Sequence, residues 1–136
     1  MPKVIAFDFD LTLSRYHSVG ERITSEDINR MSLAQLKDFM APIFSNPNFM
    51  IFLKSFVAQG NYVIVASYGY NDLIYNALRR MNLIPNIVSM ILTPKSFGLE
   101  EGCEYLKELQ GKNLMLNMAN YYYQIESKNN ILLVDD

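Results

Sequence analysis

Lys3-Val4-Ile5-Ala6-Phe7-Asp8-Phe9-Asp10-Leu11-Thr12 is a short apolar run that stops at two aspartates. A continuous apolar run of this length is typical of a strand that is buried on both faces of a parallel sheet. Three later runs have the same form and also end at polar residues, namely Tyr62–Ala66, Ile87–Leu92 and Ile131–Val134. The sequence therefore predicts four strands of a mostly parallel sheet.

Between these runs the apolar residues follow a helical spacing. One predicted helix ends at Gly60, and the last two predicted helices, Leu99–Gln110 and Asn113–Ser127, are separated by Gly111. The expected buried faces are Phe49, Phe52, Leu53, Phe56 and Val57, then Ile74, Ala77, Leu78 and Met81, and finally Met115, Met118, Ala119, Tyr122 and Ile125. Strands that alternate with helices predict an α/β fold with a doubly wound sheet, whose ligand site lies at the carboxyl ends of the strands.

A helical insert is expected after the first strand, at about residues 15–46. Its helical part, Thr24–Phe44, contains two capping-box patterns, Thr24-x-x-Asp27 and Ser32-x-x-Gln35. A chain of 136 residues has room for one domain, so we expect a single domain over residues 1–136 in which this segment is an insert.

Composition and charge exclude several classes of function. With 12 Lys+Arg and 14 Asp+Glu the net charge is −2, which argues against nucleic acid and anionic membranes as partners. Asp8 interrupts the apolar run that a signal peptide would need, and no run reaches about 18 apolar residues, so a cytoplasmic location is expected. The single cysteine, Cys103, cannot form an internal disulfide and has no clustered partners for a zinc site.

The polar residues of interest follow the predicted strands directly. Asp8 and Asp10 follow the first strand, Ser67 follows the second, and the pair Asp135 and Asp136 follows the last. The carboxyl ends of parallel strands meet at one edge, where several carboxylates repel one another unless a cation lies between them. Oxygen ligands without Cys or His favour a hard ion, and Mg²⁺ is the usual one for phosphate substrates.

Asp8-Phe9-Asp10-Leu11-Thr12 resembles the first motif, DxDxT, of the haloacid dehalogenase-like (HAD) superfamily. Ser67 is similar to its second motif, Lys112 to its third, and Asp135-Asp136 to its fourth, in the family's order and over essentially the whole chain. The resemblance implies a Rossmann-like HAD core. In that family the core continues past the fourth motif, so a C-terminal part of it is expected to be missing from this sequence.

The resemblance also implies catalytic roles. Asp8 would be the nucleophile and would form a phospho-aspartyl intermediate, while Asp10 would act as general acid and then general base. Ser67 would donate a hydrogen bond to a phosphoryl oxygen, and Lys112 would place a cation beside Asp8. Together these roles imply a Mg²⁺-dependent phosphatase.

For the metal, the resemblance implies direct ligation by Asp8, the backbone carbonyl of Asp10, and Asp136, with Asp135 in support. We expect the Thr12 hydroxyl to brace the loop after the first strand. Lys95 also lies between the second and fourth motifs, but we favour Lys112 because it follows Gly111 and begins the last helix.

Two other functions remain open at this point. A phosphotransferase or mutase would share the same chemistry, and a non-catalytic binding protein could use a truncated scaffold of this kind. The insert is too small for a multi-helix cap, so we expect an open site that suits a macromolecular phosphate. A small phosphorylated metabolite would need a lid from a neighbouring subunit of an oligomer.

Overall fold

The structure, a computed structural model, describes residues 2–18, 21–99 and 112–135. Within these ranges the strands are β1 (Val4–Phe7), β2 (Tyr62–Ala66), β3 (Val88–Leu92) and β4 (Ile131–Val134). They form one sheet in the order β3-β2-β1-β4, and every neighbouring pair is parallel. The predicted parallel sheet is therefore confirmed.

The register of β1 with its two neighbours brings the strand ends together. Phe7 pairs with Val65 of β2 and with Val134 of β4. Because all three strands run in the same direction, the residues that follow them emerge at one edge of the sheet. This edge is where the polar residues that follow the strands were expected to meet.

The helices within the described ranges are α1 (Ser25–Arg30), α2 (Leu33–Phe39), α3 (Pro47–Ala58), α4 (Asn71–Arg80) and α5 (Lys112–Tyr123). Short 3-10 turns occupy Pro42–Ser45, Pro94–Phe97 and Lys128–Asn130. The helix predicted at Leu99–Gln110 lies, apart from its first residue, outside the described residues, as do Cys103 and Gly111. None of the described helices has the length and apolar character needed to cross a membrane.

Alternate side chains of the central strands enter two hydrophobic layers. On one face, Phe7 and Val65 pack with residues of α3 and α4, such as Leu53 and Leu78. On the other face, residues such as Ala6 and Ile64 pack with Met115 and Ala119 of α5. Helices thus cover both faces of the sheet, which confirms the doubly wound architecture.

On α3 and α5, some residues of the predicted buried faces are exposed. Phe52 is 51% exposed, because the stripe of α3 that meets the sheet is centred on Leu53 and Phe52 lies at its margin. On α5, Met118 is 37% and Tyr122 is 69% exposed, whereas Met115 and Ala119 are buried.

The last helix is also shorter than predicted. It ends at Tyr123 rather than at Ser127, because Gln124 adopts a left-handed conformation with φ of 58°. Tyr123 stacks on Tyr62 of β2 with ring centroids 3.8 Å apart, and the chain then turns so that Ile125 is buried in the core.

The insert is fixed to the core. Both predicted capping boxes are present, at Thr24 with Asp27 and at Ser32 with Gln35. Arg80 of α4 donates from Nη1 to the carbonyl of Ile28 in α1 at 2.7 Å. The start and the end of the insert are joined by a hydrogen bond in which the Ala41 N–H donates to the Leu13 carbonyl at 2.8 Å. The insert therefore packs against the core of the domain.

Candidate active site

The first residues after the strands are still held by the neighbouring strands. The Asp8 N–H donates to the carbonyl of Val134 at 2.9 Å, and the Ser67 N–H donates to the carbonyl of Leu92 at 2.9 Å. Asp8 and Ser67 are 7% and 1% exposed, respectively. The sheet thus places both side chains at its carboxyl edge in a largely buried setting.

Lys112 bridges two of the predicted acidic residues. Its Nζ lies 2.9 Å from Asp8 Oδ1 and 3.0 Å from Asp135 Oδ2, and its side chain is only 9% exposed. Lys112 is the first residue of α5, which packs against one face of the same sheet. The other candidate, Lys95, lies exposed in the 3-10 turn Pro94–Phe97. Lys112 is therefore the lysine whose ammonium group contacts Asp8.

Asp8 has an unusual protonation equilibrium for an aspartate. Its pKa is raised from 3.8 to about 6, chiefly because the carboxyl group is buried. The hydrogen bond and positive charge of Lys112 oppose this rise, and the hydrogen bond and negative charge of Asp135 contribute to it. The ion pair with Lys112 therefore compensates only part of the free energy required to bury the Asp8 carboxylate.

Asp10 is held by the loop that leads into the insert. Ser18 Oγ donates to Asp10 Oδ1 at 2.7 Å, and His17 Nδ1 lies 3.9 Å from Asp10 Oδ2. Ser18 is 1% exposed, whereas the His17 side chain is 58% exposed. The sequence offers no signal for Ser18, since a loop serine eight residues after an aspartate belongs to no motif or periodic pattern.

Gly69 lies between Ser67 and Asp10. Its N–H donates to Ser67 Oγ at 3.0 Å, and a Cβ added at Gly69 would lie 3.3 Å from Ser67 Oγ and 3.8 Å from Asp10 Oδ2. The hydrogen bond from Gly69 uses a lone pair of the Ser67 oxygen, so the hydroxyl hydrogen can be donated to a ligand. The Ser67 hydroxyl and one oxygen of Asp10 therefore face the same small space.

The expected role of the Thr12 hydroxyl is wrong. Thr12 Oγ1 is buried and makes no hydrogen bond within the described part of the chain. The loop is braced by its backbone instead, because the N–H groups of Thr12, Leu13 and Ser14 all donate to the carbonyl of Phe9 at 2.9 to 3.2 Å. This tight turn includes Leu11, which has φ of 62° and is 47% exposed.

Asp136, the predicted direct metal ligand, lies outside the described residues. Among residues 2–18, 21–99 and 112–135, no group of three or more His, Cys, Asp or Glu side chains is arranged to hold a metal ion. Two of the predicted metal-site residues, Asp8 and Asp135, are brought together on Lys112. Asp10 is not part of this contact, because its Oδ1 bonds to Ser18 and its Oδ2 lies between His17 and Gly69.

The fold is similar to that of a solved HAD phosphatase. A structure of phosphoserine phosphatase, described as a phospho-aspartyl intermediate analogue, matches 99% of this chain and 78% of its own, with a TM-score of 0.57 and 16% sequence identity. Phosphoserine phosphatase is a member of the HAD superfamily. No family model matches the sequence, and the comparison with curated proteins finds no match. The structural likeness confirms the α/β fold of the HAD type.

The raised pKa of Asp8 predicts how stability depends on pH. The native state holds this proton more tightly than the unfolded state, whose Asp8 has the ordinary pKa of 3.8. In EDTA, the stability of the protein relative to Asp8→Asn should therefore fall by up to about 3 kcal/mol as the pH rises from below the unfolded pKa of 3.8 to above 6. Urea unfolding of both proteins across this range measures the difference. A difference that is flat or that rises with pH would contradict the environment described for Asp8.

Proposed function

Because the chain has the fold of a HAD phosphatase, we propose that it is a Mg²⁺-dependent phosphatase that hydrolyses a phosphate monoester through a phospho-aspartyl intermediate on Asp8. The observation that carries this proposal is the buried contact of 2.9 Å between Asp8 and Lys112 at the carboxyl edge of the sheet. Asp10 and Ser67 lie beside the same edge, next to Gly69. This arrangement combines a nucleophile, a fixed cation and hydrogen-bonding groups around one position.

In the first step, a carboxylate oxygen of Asp8 attacks the phosphorus atom and forms an acyl phosphate. The bond between phosphorus and the ester oxygen breaks, and Asp10 donates a proton to that oxygen so that it leaves as an alcohol. The ammonium group of Lys112 and the hydroxyl of Ser67 stabilise the negative charge on the phosphoryl oxygens. The products of this step are the alcohol and phosphorylated Asp8.

In the second step, water hydrolyses the acyl phosphate. Asp10, now a carboxylate, takes a proton from the water as its oxygen attacks the phosphorus atom. The bond between phosphorus and the Asp8 oxygen breaks, which releases inorganic phosphate and restores the Asp8 carboxylate. The proton that Asp10 gave to the leaving group is thereby replaced, and the site is ready for another cycle.

The oxygen donors at this edge fit a hard divalent cation. Asp8, the backbone carbonyl of Asp10, and Asp136 are the proposed ligands, with Asp135 in support. The raised pKa of Asp8 supports this assignment, because Lys112 leaves part of the burial of the carboxylate uncompensated. When bound, Mg²⁺ supplies positive charge against the phosphate dianion.

The first test measures hydrolysis of p-nitrophenyl phosphate. Turnover should require Mg²⁺ and should be lost in EDTA, and Asp8→Asn should abolish both turnover and the trapped acyl phosphate. Activity that persists after chelation would contradict the metal assignment, and a label still trapped at residue 8 in Asp8→Asn would contradict the assigned nucleophile.

A clean preparation with neither turnover nor Mg²⁺ binding by calorimetry would favour a non-catalytic binding protein. Transfer of phosphate to an added alcohol in preference to water would favour a phosphotransferase.

A second prediction compares the two candidate lysines. Lys112→Ala should lower kcat by roughly 100-fold or more, because it removes the cation that contacts Asp8. Lys95→Ala is the matched control and should change kcat by less than about twofold, because its exposed side chain belongs to the turn after β3. Steady-state kinetics on the same ester compares them, and a larger loss in Lys95→Ala would transfer the role to that residue.

The insert supports an open site. Its helices, α1 and α2, have 6 and 7 residues, and α1 is bonded to α4 through Arg80. A mobile cap encloses small substrates and excludes water, whereas a short insert that is bonded to the core leaves the edge of the sheet accessible. The proposed substrate is therefore a phosphate group on a macromolecule, and the net charge of −2 favours a phosphoprotein over a nucleic acid.

A substrate panel tests the open site. With the protein shown to be monomeric by light scattering, phosphopeptides should be hydrolysed with kcat/KM at least about tenfold above that for sugar phosphates and nucleotides. A monomer that prefers one small metabolite would overturn the proposal. An oligomer with that preference would instead indicate that a neighbouring subunit supplies the lid.

A further inference from the structure

We propose that Ser18 is a positioning residue for the general acid and base, Asp10. The Ser18 hydroxyl donates to Asp10 Oδ1 at 2.7 Å, the length of a strong hydrogen bond from a hydroxyl to a carboxylate. This contact selects Oδ2 as the oxygen that carries the transferred proton. The inference rests on the proposed function and adds to it a residue of the insert loop, which belongs to none of the predicted motifs.

The selection of one oxygen matters because the terminal torsion of an aspartate has two nearly equivalent orientations. Without a fixed partner, either oxygen can face the reacting group. In the structure Oδ2 lies on the side of Ser67, since a Cβ at Gly69 would approach both Asp10 Oδ2 and Ser67 Oγ. Ser18 therefore holds one oxygen away and leaves the other directed toward the phosphate-binding side.

The position of Ser18 is itself fixed. The residue is 1% exposed, and its carbonyl accepts a hydrogen bond from the Ile23 N–H at 2.9 Å. Ile23 precedes Thr24, which caps α1, and α1 is bonded to α4 through Arg80. A buried hydroxyl is held in place when its partners cannot move, so the insert determines the orientation of Asp10.

The leaving group of the substrate provides the test. A p-nitrophenolate ion leaves without a proton, whereas the ethoxide of ethyl phosphate needs one from Asp10 in the transition state. Ser18→Ala should therefore lower kcat/KM for ethyl phosphate about tenfold or more and for p-nitrophenyl phosphate less than about threefold. Asp10→Asn is the positive control. It should also lower kcat/KM more for ethyl phosphate than for p-nitrophenyl phosphate, and this discrimination between the two esters should be larger than in Ser18→Ala.

Ser14→Ala is the matched structural control. Ser14 is equally buried in the same loop, and its Oγ donates to the Tyr16 carbonyl at 2.8 Å rather than to a carboxylate. This variant should change kcat/KM for the two esters by the same factor. Ser18→Cys keeps the volume and a weak donor, and its discrimination should be intermediate between those of the wild type and Ser18→Ala.

Each outcome decides the proposal. Equal losses on both esters in Ser18→Ala, or failure of both Ser18→Ala and Ser18→Cys to fold, would show that Ser18 is only structural and would overturn the inference. If Asp10→Asn shows no discrimination, or if the wild type hydrolyses neither ester, the proposed function fails instead. Discrimination in Ser18→Ala and Asp10→Asn, but not in Ser14→Ala, is the result expected.

Discussion

The buried ion pair between Asp8 and Lys112 is the contact on which the arrangement of the site depends. It joins the end of the central strand β1 to the first residue of α5, more than 100 residues later in the chain. An isolated charge is very costly to bury, so Asp8 and Lys112 stabilise each other at the edge of the sheet. Asp135 is drawn to the same ammonium group. The ammonium group of Lys112 therefore connects the predicted first, third and fourth motifs through two contacts.

Much of this fold could be predicted from local patterns in the sequence. Four apolar runs correspond to four strands because the strands of a parallel sheet with helices on its faces are mostly apolar. The boxes at Thr24 and Ser32 form because their bonds span only three residues. The exposure of Phe52 could not be predicted, since it depends on which side of α3 is turned toward the sheet. The choice between Lys112 and Lys95 as the lysine beside Asp8 depended on where the last helix begins. The spacing of apolar residues alone does not fix that position.

Ser18 shows a different limit of sequence reasoning. Its contact with Asp10 spans eight residues of irregular loop, and no periodicity or motif constrains such a path. The bond exists because the insert returns to the core, where the Ala41 N–H bonds to Leu13 and α1 packs against α4. A segment that the sequence identifies as a small insert thus contributes a side chain to the edge of the sheet that carries Asp8 and Asp10.

The charges at this edge determine how the binding of a cation and of a phosphate affect each other. Within the described residues, Lys112 contacts both Asp8 and Asp135, so one positive charge faces two carboxylates before any substrate arrives. A phosphate monoester adds further negative charge, and in a buried site the repulsion is only weakly screened by salt. Asp8, one of the ligands proposed for Mg²⁺, is one of these two carboxylates. A bound cation would offset the negative charge that a phosphate meets, and a bound phosphate would in turn favour the cation. On the proposed function, we therefore expect Mg²⁺ and the phosphate ester to bind with positive cooperativity.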